Sequence, residues 1–106
     1  MFGRLVTMKL KANSVVELPL IMKNDVLPLL RKQKGFRDEI TFVAPERSLA
    51  VAISLWDTTG DAEAYNRTGY PAVMKCLSTV VEGTPTVGTA EVSNSTFHKI
   101  AAAQAA

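Results

Sequence analysis

Residues 48–56, Ser-Leu-Ala-Val-Ala-Ile-Ser-Leu-Trp, carry no charge on either side of a two-residue repeat. In an extended strand Leu49, Val51, Ile53 and Leu55 point one way, and Ala50, Ala52, Ser54 and Trp56 the other. Such a strand needs cover on both faces, which leaves a chain of 106 residues few architectures. At its end Ile53-Ser54-Leu55-Trp56-Asp57-Thr58 runs straight into a helix start, a junction that often borders a pocket. Trp56 is the only tryptophan.

The flanking sequence supplies the other elements. Residues 4–11 alternate loosely and read as a first strand. Asn13 and Ser14 offer N-caps, and Ser14-Val15-Val16-Glu17 has capping-box spacing. Val16, Leu20, Leu27 and Leu30 follow at helical spacing over 15–34, with Gly35 as the stop. Pro19 and Pro28 fall inside that helix, so it should start late, kink, or do both. A second strand fits 37–44, and Pro45-Glu46-Arg47 turns it into the strand 48–56. Asp61 favours a helix start after Thr58, and a second helical region over 59–81 should break at Gly69-Tyr70-Pro71. Gly83 closes that region, and 85–93 with 96–100 read as a last strand with an irregular end. The alanine-rich tail 101–106 reads as a short helix or a frayed end.

The order strand, helix, strand, strand, helix, strand predicts an α+β, ferredoxin-like βαββαβ domain over 1–106, its four-stranded sheet antiparallel and its helices on one face. Two helices cover only one sheet face. The row Leu49, Val51, Ile53 and Leu55 would otherwise leave more apolar surface than a monomer exposes, so a second copy laid against it, a homodimer, is expected. The competing reading is that the chain's own termini shield that row. On the other face, Ala50, Ala52 and Ser54 either let the helices pack closely or leave a hollow ending at Trp56.

Several function classes are disfavoured. A net charge of +2 is too small for a nucleic-acid binder, and Arg31, Lys32, Lys34 and Arg37 fall where positive side chains complement a helix end. One Cys and one His give no disulfide framework and no Cys/His zinc site within a chain. No apolar run reaches membrane-spanning length, and the N-terminus lacks a signal peptide's apolar core, so neither membrane nor secretion is expected and the cytoplasm is. No carboxylate pair, nucleophile elbow, phosphate loop or metal-ligand spacing appears.

The element order, Val26-Leu27-Pro28-Leu29-Leu30 leading to Gly35-Phe36, Ser54-Leu55-Trp56-Asp57 and Tyr70-Pro71 together resemble the dimeric α/β-barrel superfamily, and within it the antibiotic-biosynthesis-monooxygenase-like domains, over residues 3–100. The resemblance implies two subunits forming an α/β barrel. The family includes cofactor-independent oxygenases of polycyclic phenols, haem-degrading enzymes and members without a known reaction. The phenol oxygenases carry an Asn and a Trp four residues apart on the third strand and a Tyr on the following helix. Here Trp56 matches, while Ala52 stands at the Asn position and Ala62 at the Tyr position. The haem-degrading relatives use an Asn, a Trp and a His, where this chain has Val6, Tyr65 and Lys75. No axial ligand is thus expected there, no cofactor is expected, and haem is not expected as a physiological ligand. The resemblance therefore transfers a fold more readily than an active site.

The candidate pocket residues are Trp56, Tyr65, Tyr70, Ala52, Ser54 and His98. Trp56 reads equally as pocket wall or as core. Tyr65 and Tyr70 offer phenolic donors, Tyr70 also reading as a packing anchor beside Pro71. His98 has general-base character near neutral pH but reads first as a surface or interface residue. Catalytic residues are not assigned. Three functions fit: a hydrophobic small-ligand pocket, in the extreme a cofactor-independent monooxygenase of an aromatic compound; a non-catalytic stress-response or ligand-binding barrel; or a purely structural dimerisation module.

Overall fold

A computed structural model describes residues 1–98. Four strands, Phe2–Leu10 (β1), Phe36–Ala44 (β2), Leu49–Trp56 (β3) and Val81–Glu91 (β4), form one antiparallel sheet in the order β2-β3-β1-β4. The helices are Glu17–Ile21 (α1), Leu27–Arg31 (α2), Thr59–Thr68 (α3) and Tyr70–Leu77 (α4). This is the expected α+β ferredoxin-like arrangement.

The two prolines of the first helical segment have different consequences. Pro19 lies in the first turn of α1, where its missing N–H would have no intrahelical partner in any case. Pro28 would drive its ring against the Asn24 carbonyl one turn back. The chain widens into a π turn, Met22–Val26, immediately before α2. Leu18, Met22, Val26 and Leu30, four residues apart, are all buried, so the detour preserves the apolar stripe facing the sheet. The capping box does not form: Val16 is the N-cap with no side-chain bond, and Ser14 acts through its carbonyl, which accepts from the Leu18 N–H at 3.1 Å.

The second helical region breaks at Gly69, as its sequence suggests, and Thr58 caps α3 by accepting from the Asp61 N–H at 3.0 Å. Gly83, expected to end the helical region, instead lies inside β4 with φ +72°. Between the pairs Thr7–Thr86 and Lys9–Glu82 the register slips, and Gly83 and Pro85 sit in the resulting bulge. A glycine followed by a proline marks a bulge on an edge strand as readily as a helix stop. β4 ends at Glu91, so His98 lies beyond the strand, which corrects its expected place. The Val92 N–H donates to the Met1 carbonyl at 2.9 Å, and the His98 ring reaches the Asp38 carboxylate on β2. The segment 92–98 therefore passes from one sheet edge to the other. Expectations for residues 99–106 lie outside the described residues.

The core sits between the sheet and the helices, around Met8, Leu10, Leu18, Val26, Trp56 and Val80. On the opposite face, cross-strand partners form two rows, Leu5–Ile53–Ile40 and Thr7–Val51–Phe42. Leu5, Ile40 and Phe42 are 38%, 46% and 56% exposed, and Leu49, Val51, Ile53 and Leu55 are half-buried, so this face is apolar and only partly covered by the described residues.

Candidate functional site

The strand register places a line of polar side chains under the helices. Arg4 pairs with Thr89 on one side and Ser54 on the other, and Ser54 pairs with Glu39. Adjacent partners lie about 5 Å apart, so Thr89, Arg4, Ser54 and Glu39 cross the sheet as one row. Arg4 is in phase with buried Val6 and Met8, and is itself only 2% exposed.

Its guanidinium donates to Asn66 Oδ1 at 2.8 Å and lies over two aromatic rings, 4.5 Å from the Tyr70 centroid and 5.1 Å from that of Tyr65. The negative ring faces attract the cation where water cannot reach it. Tyr65 is fixed by stacking on Trp56, with centroids 4.7 Å apart and planes at 26°, and Tyr70 meets it edge-on at 6.1 Å. Gly69 makes this possible. A Cβ there would stand 2.7 Å from the Tyr65 ring and 2.9 Å from the Gln33 side chain.

Electrostatics follow from burial. The Tyr65 phenol is pushed well above the usual tyrosine range by desolvation, which the Arg4 charge partly opposes, and the Tyr70 phenol is raised for the same reasons. Burial also raises the Glu39 carboxyl, against a hydrogen bond donated by Thr41 Oγ1 at 2.5 Å. A phenol that stays protonated is a hydrogen-bond donor, while a carboxylate of raised pKa is a better base than an exposed one.

Between these groups lies a hollow of about 30 Å³. Ala52 and Ser54 floor it, Tyr65 and Tyr70 border it, and Arg4 and Glu39 supply charge. Three methionines, Met8, Met22 and Met74, contribute flexible walls. This volume admits one or two waters but no aromatic ring. Trp56 does not border the hollow. It is fully buried behind Tyr65, edge-on to Phe36 at 5.6 Å, and its Nε1–H donates to Ser54 Oγ at 2.9 Å. His98 lies away from the hollow, against Asp38, so the structure brings together four of the six candidates: Tyr65, Tyr70, Ala52 and Ser54.

Arg4 and Glu39 were not among the residues singled out from the sequence. The signal for Arg4 was its phase, two residues before the buried Val6, where a charge is out of place. Among the described residues no group of three His, Cys, Asp or Glu side chains could hold a metal ion, and no helix is long and apolar enough to cross a membrane. Of the positions compared with haem-degrading relatives, Val6 and Tyr65 are buried and Lys75 is exposed.

No protein-family model matches this sequence, and no curated protein does. Solved structures do match. A monooxygenase of Streptomyces coelicolor, crystallised with nanaomycin D, superposes with a TM-score of 0.73 at 15% identity, over 89% of this chain and 88% of that one. A cofactor-independent oxygenase of Streptomyces nogalater gives 0.69 at 13% identity, covering 90% of this chain and 95% of its own. A candidate antibiotic-biosynthesis monooxygenase of Bordetella bronchiseptica gives 0.73 at 10% identity, with 86% and 95% covered. The chain thus has the fold of the antibiotic-biosynthesis-monooxygenase-like proteins.

Proposed function

We propose that this chain binds a small, flat hydrophobic or aromatic compound between sheet and helices, and that its homodimer is a cofactor-independent monooxygenase of that compound. The observation that carries this reading is the hollow itself: a largely apolar space on a floor of small side chains, with a few converging polar groups, the usual form of a small-molecule site. The similar structures named an oxygenase and a nanaomycin D complex support it by analogy of fold. At about 30 Å³ the space is too small for a ring at rest, and Met22 and Met74 are the walls with most freedom to make room for one. Dimerisation rests on the Leu5–Ile53–Ile40 and Thr7–Val51–Phe42 rows, which a second copy would cover. A cytoplasmic setting is in keeping with the free thiol of Cys76.

One observation favours a second reading, a binding barrel without catalysis: Ala52 and Ala62 occupy positions that are polar in the phenol oxygenases. The two readings separate in a single experiment. A hydroxylated anthrone is titrated into the protein while Trp56 emission and dissolved oxygen are followed, with no flavin, nicotinamide or metal added. Saturable quenching with one O₂ consumed per substrate, one atom entering the ring as a carbonyl and the other leaving as water, supports the oxygenase. Saturable quenching without oxygen uptake selects the binding barrel. No saturable binding of any flat aromatic compound, by quenching or by calorimetry, overturns the pocket.

A further inference from the structure

We propose that the cleft between α3 and β4 is a second binding site, separate from the hollow, and that it takes a free α-amino acid with an apolar side chain. Its carboxylate would meet Arg4 and Asn66, and its ammonium Glu63. The inference does not depend on the pocket reading above, because Arg4 is the one residue that borders both spaces.

The cleft follows from the width of the sheet. The helix α3 packs on β1 and β3, and leaves the outer strand β4 bare on the same side. The cross-strand pairs Arg4–Thr89 and Val6–Val87 face the helices, yet Val87 is 41% exposed. The space beside α3 measures about 290 Å³, close to the lower limit of small-molecule sites. Phe2, Ala62 and Val87 make one part of its lining apolar. The rest is polar: Arg4, Glu63, Asn66 and Thr89.

These polar groups suit a zwitterion. Asn66, which accepts from Arg4 Nη2 at 2.8 Å, borders the cleft but not the hollow, so that end of the guanidinium faces the cleft. The bond also turns the amide: with Oδ1 taken, Asn66 offers its two Nδ2–H donors. Thr89, the strand partner of Arg4, adds a hydroxyl about 5 Å along the row. Among the described residues every fully enclosed side-chain nitrogen or oxygen has a hydrogen-bond partner, whereas Arg4 bonds only through Nη2. Its other nitrogens therefore open on space. A planar carboxylate is the group that a guanidinium with spare N–H donors matches best. Glu63 stands one helical turn before Asn66 on the same side of α3, about 5–6 Å away between Cβ atoms. It is exposed and in no ion pair among the described residues. The cleft thus sets donors for a carboxylate one turn from a carboxylate that wants a cation. An α-amino acid carries both charges on a single carbon. A simple acid would be repelled by Glu63, a simple amine by Arg4, and a peptide end carries only one of the two charges.

The test is calorimetry at neutral pH with L-leucine and two analogues that keep its branched chain: 4-methylpentanoate, without the ammonium, and 3-methylbutylamine, without the carboxylate. Amide-resolved NMR places the site. The expected result is saturable binding of one leucine per chain, with shifts at Asn66, Val87 and Thr89. The amine should bind at least about tenfold more weakly, and the acid several-fold more weakly, since the exposed Glu63 is screened by solvent. Glu63→Gln, a change at an exposed position, should bring leucine and 4-methylpentanoate to similar affinity, and Asn66→Ala should weaken both. Either analogue binding the unaltered protein as tightly as leucine overturns the proposal, as does a Glu63→Gln protein that still prefers leucine. Shifts confined to Ala52, Tyr70 and Val73 would put the ligand in the hollow and overturn the second site. Absence of saturable leucine binding also overturns it, and leaves the reading of the hollow standing.

Discussion

Replacing Trp56 by Phe discriminates a core residue from a pocket wall by the size of its effect on stability. Trp56 is 0% exposed, stacks on Tyr65 at 4.7 Å and bonds to Ser54 at 2.9 Å. The indole exceeds a phenyl ring by roughly 40 Å² of surface, worth about 1 kcal/mol at ~25 cal/mol per Å². Losing the Nε1–H bond and leaving the buried Ser54 hydroxyl without its donor adds about 1 kcal/mol more. The expected destabilisation is therefore about 2 kcal/mol, a fall in Tm of about 8–16 °C for a domain of this size. Far-UV circular dichroism during urea and thermal unfolding measures it without the lost fluorophore, at fixed protein concentration because a dimer's stability depends on it. The double variant Trp56→Phe with Ser54→Ala should cost about 1 kcal/mol less than the sum of its parts, since both changes remove the same bond. A cost below about 0.5 kcal/mol would show that the indole is not buried and bonded as described, and would refute the reasoning.

Gly69→Ala should destabilise by about 1–3 kcal/mol, because the new methyl group meets the pinned Tyr65 ring at 2.7 Å while the backbone φ of −103° suits any residue; thermal melts check it. Ile53→Asp should break the dimer or unfold it, since it buries a carboxylate at the centre of the proposed interface; light scattering at low micromolar concentration should report twice the chain mass before the change, and a folded monomer there would refute the dimer. The raised Glu39 carboxyl predicts a pH effect. The native state keeps a proton that the unfolded chain releases, so stability falls as pH rises from the ordinary 4.5 through the raised native value and stays lower above it. Glu39→Gln should flatten that decline, read from urea midpoints at pH 4 and pH 8. Equal declines in both proteins would contradict it.

The fold was legible because its signals are local. The two-residue repeat of 49–56, Thr58 as a cap and Gly69-Tyr70-Pro71 as a break each act within a few residues, and the structure places each where those rules put it. The misses have the same origin. Gly83 and Pro85 look alike locally whether they end a helix or bulge a strand, and only pairing against β1 decides. The prolines of the first helical segment announced a distortion, but not that a π turn would absorb it and keep Met22 in line with Leu18 and Val26.

The site was less legible because it belongs to no single segment. Arg4, Ser54 and Glu39 are far apart in sequence and become neighbours only through the register of three strands. Once they are adjacent, the physical oddity is Arg4. A guanidinium has five N–H donors, yet among side chains this one donates only to Asn66 and otherwise rests on two rings, with no carboxylate in ion-pair contact among the described residues. Taking such a charge out of water costs several kcal/mol, and one hydrogen bond with two cation–π contacts returns only part of it. A methionine would fill the same volume with no charge to desolvate. A core that retains the costlier residue, beside the hollow and two strands from the half-buried Glu39, departs from consistency there. Such departures are where binding or chemistry is expected.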